Sequence, residues 1–314
     1  MNLIDIVIVN WSSGGQLLDA MLSLRRFGSE FIASVAIVDN ASIDDSLERV
    51  VAKGDWDFPV HVIRNKSNRG FGAACNQGVA LGNAEYVLFL NPDARVFEDS
   101  LSSPLAFMER AENANVFVTG IRLIDEQGHT SRACARFPTV GMFAAAALGL
   151  DRLPALRSYT LHMADWDHGE TRDVDHVIGA FYLIRRRIFE SLQGFDERFF
   201  VYLEDLDLSL RVKQAGGRVV YFADAQAFHA GGGTSRQIRA TRLFYSLRSR
   251  LLYGFKHFSR VQAWALVGVT MCIESISRLL FAAVRGGLED VRNTLRGYGM
   301  LARSLPAILK ASKR

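Results

Sequence analysis

Through the first 120 residues, short continuous apolar runs alternate with helix-compatible stretches. The runs IVIVNW, ASVAIVDN, VHVIRN and EYVLFLNP are rich in β-branched residues, a pattern that predicts parallel strands buried on both faces. Between them, helices are predicted over Gly15–Phe27, Ser42–Lys53 and Phe71–Leu81; Ser42, Asp44 and Asp45 form a helix start with acids in the first turn. This βαβαβ order predicts an α/β fold, a doubly wound, mostly parallel sheet with right-handed crossovers. Ligands of such sheets bind beyond the carboxyl ends of the strands, where Asn10, Asp39, Asn65 and Asn91 fall.

Residues 121–175 are less regular: a turn at Asp125–Gly128, an apolar helix or flap at FPTVGMFAAAALGL, and a polar loop from Asp165 to Asp175. Regular structure resumes at VIGAFYLIRRRIFESL, read as a strand followed by a helix. Then comes GFDERFFVYLEDLDLSLRVKQAGGRVVYFADAQAFHAGGGTS, residues 194–235, in which Leu203, Leu206 and Leu210 stand at helical spacing. From about residue 237 the texture becomes basic and aromatic, which places a domain boundary there: 1–236 for the α/β domain and 237–314 for a basic helical region. Within that region QAWALVGVTMCIESISRLLFAAV (262–284) is broken by Glu274 and Arg278, leaving an apolar core shorter than the roughly 20 residues a spanning helix needs. The expectation is a set of amphipathic helices lying at a membrane interface, with packing on the main domain or on a second subunit as the alternative.

Charge sharpens this division. The formal net charge is only +4, yet residues 234–314 hold 15 Lys/Arg against 3 Asp/Glu, so the remainder is acidic. A basic tail on an acidic body points to an anionic surface. No nucleic-acid recognition motif accompanies it, which leaves phospholipid. Cys75, Cys134 and Cys272 show no metal or redox spacing, which suits a reducing cytoplasm. The N-terminal run has no basic lead and contains Asp5, so it reads as a strand and not as a signal peptide.

Four groups carry candidate chemistry. In Asn91-Pro92-Asp93 a carboxylate stands at a strand end, placed to hold a divalent cation bridging two phosphates; an ordinary Asn-Pro-Asp turn has the same sequence. His229 beside Gly231-Gly232-Gly233 pairs an imidazole with backbone open to phosphate, although a lone histidine is often structural. Glu204 and Asp205 open a helix, where an ionised carboxylate suits a general base and charge decoration is equally common. Asp39 in DNAS could accept a hydrogen bond from a pyrimidine imide, and Gly70, Gly72 and Gly78 permit close backbone approach. GFGAAC follows the third strand and lacks the dinucleotide fingerprint, which argues against a dehydrogenase. NWSSGGQLL has no basic residue before Arg25, which argues against a nucleotidyltransferase.

In their order, IVNW, VDNAS-x-D-x-S, N-x-GF-x-x-x-x-N-x-G, LNPD, Gly179-Ala180, GFDE-x-FF-x-Y-x-ED-x-D and the H-x-GG-x-S-like end resemble glycosyltransferase family 2, with its GT-A fold. The likeness runs from Val7 to about Ser235, and its subgroup is similar to bacterial rhamnosyltransferases of polysaccharide assembly; galactofuranosyltransferases share much of it. The resemblance implies that Asp39 reads the uracil or thymine ring with Val9 and Asn10 lining the nucleoside pocket. It implies that Asn68, Gly70, Phe71 and Asn76 shape the floor near ribose and diphosphate. Asp93 and His229 would hold Mg2+ or Mn2+, with Asn91 where many members carry Asp. Asp205 would be the base of an inverting transfer, Glu204 the second choice, and Asp207 scaffold. The donor implied is dTDP-rhamnose, with a UDP-sugar as alternative. The acceptor is a glycan or a polyprenyl-diphosphate-linked saccharide at the inner face of the cytoplasmic membrane, and a homo-oligomer is possible. A nucleotide-sugar-binding protein without catalysis is the remaining rival.

Overall fold

The computed structural model describes residues 3–231 and 239–311. Gly232, Gly233, Ser235 and the expected boundary at 236/237 lie outside the described residues. In chain order the elements are β1 (Ile4–Asn10), α1 (Gln16–Gly28), β2 (Ile32–Asp39), α2 (Ser46–Lys53), β3 (Val60–Arg64), α3 (Phe71–Val79), β4 (Tyr86–Leu90), β5 (Ala94–Val96), α4 (Ser102–Glu109), β6 (Val116–Ile124), β7 (Cys134–Ala135), α5 (Val140–Ala147), β8 (Arg172–Val174), β9 (His176–Val177), β10 (Phe181–Arg185), α6 (Arg186–Ser191), α7 (Glu204–Gln214), β11 (Arg218–His229), α8 (Arg239–His257), α9 (Arg260–Gly268), α10 (Ser275–Phe281) and α11 (Gly287–Ala311).

They fall into two compact units. The first comprises Met1–Ala135, Trp166–Glu197 and Asp205–Thr234; the second comprises Arg136–Asp165, Arg198–Glu204 and Ser235–Arg314. In the first unit nine strands form one sheet in the order β3-β2-β1-β4-β10-β6-β11-β5, with β8 also on β11. The β1–β2, β2–β3, β1–β4 and β6–β11 pairs are parallel, while β10, β5 and β8 run against their neighbours. The continuous apolar runs explain why: β1 and β4 are buried along their whole length, so both faces must be covered. β3 departs from that expectation. It is the sheet edge and only half-buried, with His61 and Arg64 turned to solvent.

Two other elements differ from the sequence pattern. α2 begins at Ser46 and not at Ser42, because residues 42–45 form a loop that clasps the end of β1. The AQAFH segment is no separate piece: β11 runs on through it after a register shift against β6 between Phe222 and Gln226. Such a bulge bends the strand, and its far end, Ala227–His229, pairs with β5.

The amino ends of the parallel strands are locked by buried charge. Arg186 donates to Asp5 Oδ2 (2.7 Å) and to the carbonyls of Ala84 (2.6 Å) and Val79 (3.1 Å); Asp5 also accepts from Ser34 Oγ and from Ala84 N (2.7 Å). Arg185 donates to the carbonyls of Val116 (3.0 Å) and Met108 (2.6 Å) and to Tyr86 Oη (2.8 Å), which itself bonds Glu109. Each buried guanidinium is thus both charge-compensated and hydrogen-bonded, the condition under which burial is tolerated.

The second unit is helical. α8 packs along α11, closely enough that a Cβ on Gly297 would stand 2.9 Å from Leu243 Cδ2. Segment 198–204 is tied to α8: Arg248 donates to the Arg198 carbonyl (2.8 Å), Ser249 Oγ to the Val201 carbonyl (2.7 Å), and Phe200 stacks on Tyr245 at 4.3 Å. The helical run Arg260–Ala311 is long and apolar enough to cross a membrane by length and composition, with a window of mean hydropathy 1.6. Glu274, which breaks the run on paper, is buried and paired with Arg250 and with Arg278 (2.8 Å), so it is compensated inside the unit. Gly287, at φ 71°, breaks the helix axis before α11.

Candidate active site

The carboxyl ends of β1 and β2 meet in a polar knot. Asn10 is fully buried, and its Nδ2 faces Asp39 Oδ1 (2.7 Å), Ser46 Oγ (2.8 Å) and Ser42 Oγ (3.1 Å), while its Oδ1 accepts from Ser13 Oγ (2.5 Å). Ser42 N donates to Asp39 Oδ2 (3.1 Å). Asn10 therefore stands behind Asp39 and fixes it; Val9 is buried beside it on β1. Ser12 and Ala41, at φ 51° and 61°, turn the chain just past each strand. Left-handed backbone costs roughly 1–2 kcal/mol per such residue, and the clasp between residues 12–14 and 42–46 holds it there.

A second network forms the floor. Asn40 donates to the Gly70 carbonyl (3.1 Å) and accepts from Asn65 Nδ2 (2.9 Å), which is also bonded to Gln77 (2.9 Å). Asn68 Oδ1 caps Gly70 N (2.9 Å), and Gly70 takes φ 89°, which only glycine adopts freely, to start α3. Asn76 reaches across to the GFDE segment: its Nδ2 donates to the Phe195 carbonyl (2.9 Å), and its Oδ1 accepts from Phe195 N (2.9 Å). Phe71 packs edge-on to Phe195 at 6.1 Å. Asn68, Gly70, Phe71 and Asn76 are thus one framework. Asn40 and Gln77, which complete it, were not singled out in the sequence, where only the strand-end position of Asn65 gave a signal.

Asn91, Asp93 and His229 come together although 138 residues separate the first from the last. His229 Nε2 lies 3.4 Å from Asp93 Oδ1 and 3.4 Å from Asn91 Nδ2. The bulged end of β11 makes this contact, since His229 is in register with Ala94 and Ala230 N donates to the Asp93 carbonyl (3.2 Å). A carboxylate and an imidazole facing each other, neither fully enclosed, suit a divalent cation that takes its other ligands from phosphate and water. No group of three or more His, Cys, Asp or Glu side chains forms a metal cage among the described residues. Asp93 and His229 are the two donors this pair could offer an ion.

Gly179 and Ala180 connect this pair to Asp205. The Ala180 carbonyl accepts from Asn91 N (3.0 Å), and Gly179 N donates to Asp205 Oδ2 (2.8 Å). Leu206 N donates to Asp205 Oδ1 (2.8 Å), the orphan amide of a helix start. His176 Nε2 lies 3.5 Å from Asp205 Oδ2. Burial, the largest influence, pushes the Asp205 carboxyl up; the His176 ring and the Gly179 and Leu206 amides together outweigh it and hold the group below its ordinary value. The side chain keeps 19% of its surface exposed. Glu204, next to it in the first turn of α7, is buried. Tyr202 and Leu203, at φ 70° and 65°, force the turn into α7. Asp207 is fully buried and pairs with Arg211 (2.9 Å), whose guanidinium also binds the carbonyls of Leu192 (2.7 Å) and Gly194 (2.8 Å). His176 was missed in the sequence; its signal is a polar residue opening an otherwise apolar stretch.

The fold is GT-A-like. The protein superposes on a mannosyltransferase from Pyrobaculum calidifontis in complex with GDP-Man and Mn2+ with TM-score 0.55 at 15% identity, over 99% of this chain and 83% of the other. The model of the family described as "Glycosyl transferase family 2" matches residues 5–193, and the chain belongs to that family of glycosyltransferases. It is 28% identical over 243 residues, 73% of this chain and 76% of the relative, to an N-acetylglucosaminyl-diphospho-decaprenol L-rhamnosyltransferase of Mycobacterium tuberculosis. It is 29% identical over 195 residues, 59% of this chain and 69% of the relative, to the rhamnosyltransferase WbbL of Escherichia coli.

Proposed function

We propose that this chain transfers L-rhamnose from dTDP-rhamnose, with inversion, to a hydroxyl of a lipid-linked saccharide in bacterial cell-surface polysaccharide synthesis. The observation that carries the reading is the Gly179-Ala180 backbone, which binds Asp205 on one side and Asn91 of the Asp93–His229 site on the other. A base and a diphosphate site so linked are what an in-line displacement at an anomeric carbon requires. Asp39, fixed by Asn10, receives the pyrimidine imide; the Asn68–Asn76 framework supports ribose and diphosphate. Asp205 takes the proton of the acceptor hydroxyl as it attacks. Asp93 and His229 would hold Mg2+ or Mn2+, which supplies positive charge to the leaving nucleoside diphosphate. The named rhamnosyltransferase relatives support the sugar and the lipid-linked acceptor.

A thermal-shift panel of nucleotide sugars tests this. With donor at about a hundredfold excess over Kd, binding stabilises the fold by about 2.7 kcal/mol. The expected result is stabilisation by dTDP-rhamnose with Mn2+, and none by Mn2+ alone, because two protein donors are too few. Stabilisation by UDP-sugars and not by dTDP-rhamnose overturns the donor assignment.

The second unit supports a peripheral location on the inner face of the cytoplasmic membrane. Val261, Trp264, Ile276, Leu280, Val284 and Leu288 are each between 46% and 81% exposed. Steps of four would wind around a helix of 3.6 residues per turn. The π-helical turn at Ala282–Gly286 lies between Leu280 and Leu288 and adds part of a residue per turn, which reduces that drift ahead of Gly287. An uncharged stripe this long on a region so rich in Arg and Lys fits an anionic bilayer surface. Replacing Ile276, Leu280 and Val284 together by Glu is expected to lower co-sedimentation with anionic vesicles at least tenfold, at about 1.5–3 kcal/mol per buried aliphatic side chain. Unchanged vesicle binding rejects the assignment; loss of a dimer in its place makes the stripe a subunit contact.

A further inference from the structure

His176 has no part in the transfer as described, yet it occupies the position behind the base. It is buried on β9, with Nε2 3.5 Å from Asp205 Oδ2 and Nδ1 2.9 Å from Ser209 Oγ; Ser209 Oγ in turn lies 3.1 Å from Tyr182 Oη. Ser209 and Tyr182 are themselves fully enclosed, so neither is a nucleophile open to substrate. A hydroxyl both donates and accepts. Tyr182 donating to Ser209, Ser209 to Nδ1 and Nε2–H to Asp205 is one complete arrangement. The two hydroxyls therefore hold the ring in one orientation, with Nε2 on the Asp205 side.

We infer that His176 is the positioning residue of the base. Through the Tyr182–Ser209 hydroxyls its ring is held against Asp205 Oδ2 and fixes that oxygen in place. This deepens the reading of Asp205 as the base and rests on it. The groups around the ring are few. From α7 come Asp205, Ser209 and, farther along, Asp207, which is paired with Arg211. From β10 comes Tyr182, whose phenol burial pushes up and keeps protonated. Asp175, the preceding residue, faces Lys213 at 4.0 Å. From β7, Ala135 is in register with His176, and the neighbouring Cys134 thiol is pushed up by burial and stays neutral. Asp205 is the one carboxylate at ion-pair distance from the ring among the described residues.

The test compares full-length wild type, His176→Phe, His176→Gln and Asp205→Asn, using dTDP-rhamnose or whichever nucleotide sugar stabilises the wild type. Phenylalanine fills the ring's place without a donor; the glutamine amide puts an N–H donor near the Nε2 position. His176→Phe is expected to lower kcat about tenfold, to leave donor KM unchanged, and to move the acid limb of kcat up by about one pH unit, since a donor partner of the ionised carboxylate is lost. His176→Gln is expected to restore the limb and most of kcat. Wild-type kcat and limb in a folded His176→Phe protein overturn the inference. So does equal loss in both variants with the limb unmoved, the mark of a packing role. Wild-type turnover in Asp205→Asn fails the base assignment itself, a separate outcome.

Discussion

Asp205→Asn is expected to lower kcat by about a hundredfold to ten-thousandfold, the range that general-base catalysis supplies, while donor affinity stays within a few-fold of wild type. The amide is nearly isosteric, so Gly179 N keeps an acceptor and the backbone around α7 is preserved. What is lost is the lone pair that receives the hydroxyl proton. Steady-state kinetics beside donor titration checks this, and full residual activity rejects the assignment. The wild-type pH profile has a definite sign. Because the Asp205 carboxyl is held below its ordinary value, the base stays ionised as pH falls into the ordinary carboxylate range, and the acid limb of kcat lies beneath that range. The same depression links to stability. The ionised group stabilises the fold above the unfolded carboxylate value, and that contribution is lost as pH falls through the lower folded value.

Asp93→Ala is expected to lower kcat/KM by about a thousandfold, equivalent to about 4 kcal/mol at 1.36 kcal/mol per factor of ten. It removes the only carboxylate facing His229 Nε2 among the described residues and leaves one imidazole to hold a cation. Unlike Asp205→Asn, this loss extends to donor binding. In the thermal-shift panel the variant should lose the Mn2+-dependent part of the stabilisation by nucleotide sugar. A variant that keeps that part removes Asp93 from the ion site. The contrast between the variants, one losing turnover with binding intact and the other losing both, separates the two ends of the Gly179-Ala180 bridge.

The strands and their order along the chain were legible because buried parallel strands leave uninterrupted apolar runs, as in β1 and β4. β3 misled for the converse reason: its run is apolar enough for a central strand, but sheet order, which no local pattern encodes, puts it at the edge. The chemical groups Asp39, Asp93, Asp205 and His229 were visible from residue type and from the family likeness. Their supports were not. Asn10 looks like a ligand contact in sequence and proves to be the fixed brace of Asp39, because only packing reveals that its amide is used on Asp39, Ser42 and Ser46. His176 stays hidden because its partner is 29 residues away on another element. Glu274 reads as a break in an apolar helix, whereas Arg250 and Arg278 neutralise it from within the unit.

The buried arginine network at the amino ends of the parallel strands bears on how this scaffold varies. Asp5, Arg185 and Arg186 tie β1, β4, β10 and β6 at the strand ends away from Asn10 and Asp39. At the opposite ends Asn10 and Asp39 are bonded to each other and to Ser42, and Asn40 is bonded to Asn65 and Gly70. The sheet thus carries buried ion pairs at one end of its strands and a neutral-amide and hydroxyl network at the other. A substitution in the loops past Asn10 and Asp39 is therefore expected to leave the Asp5–Arg186 and Arg185–Tyr86 bonds that hold the strands in register intact.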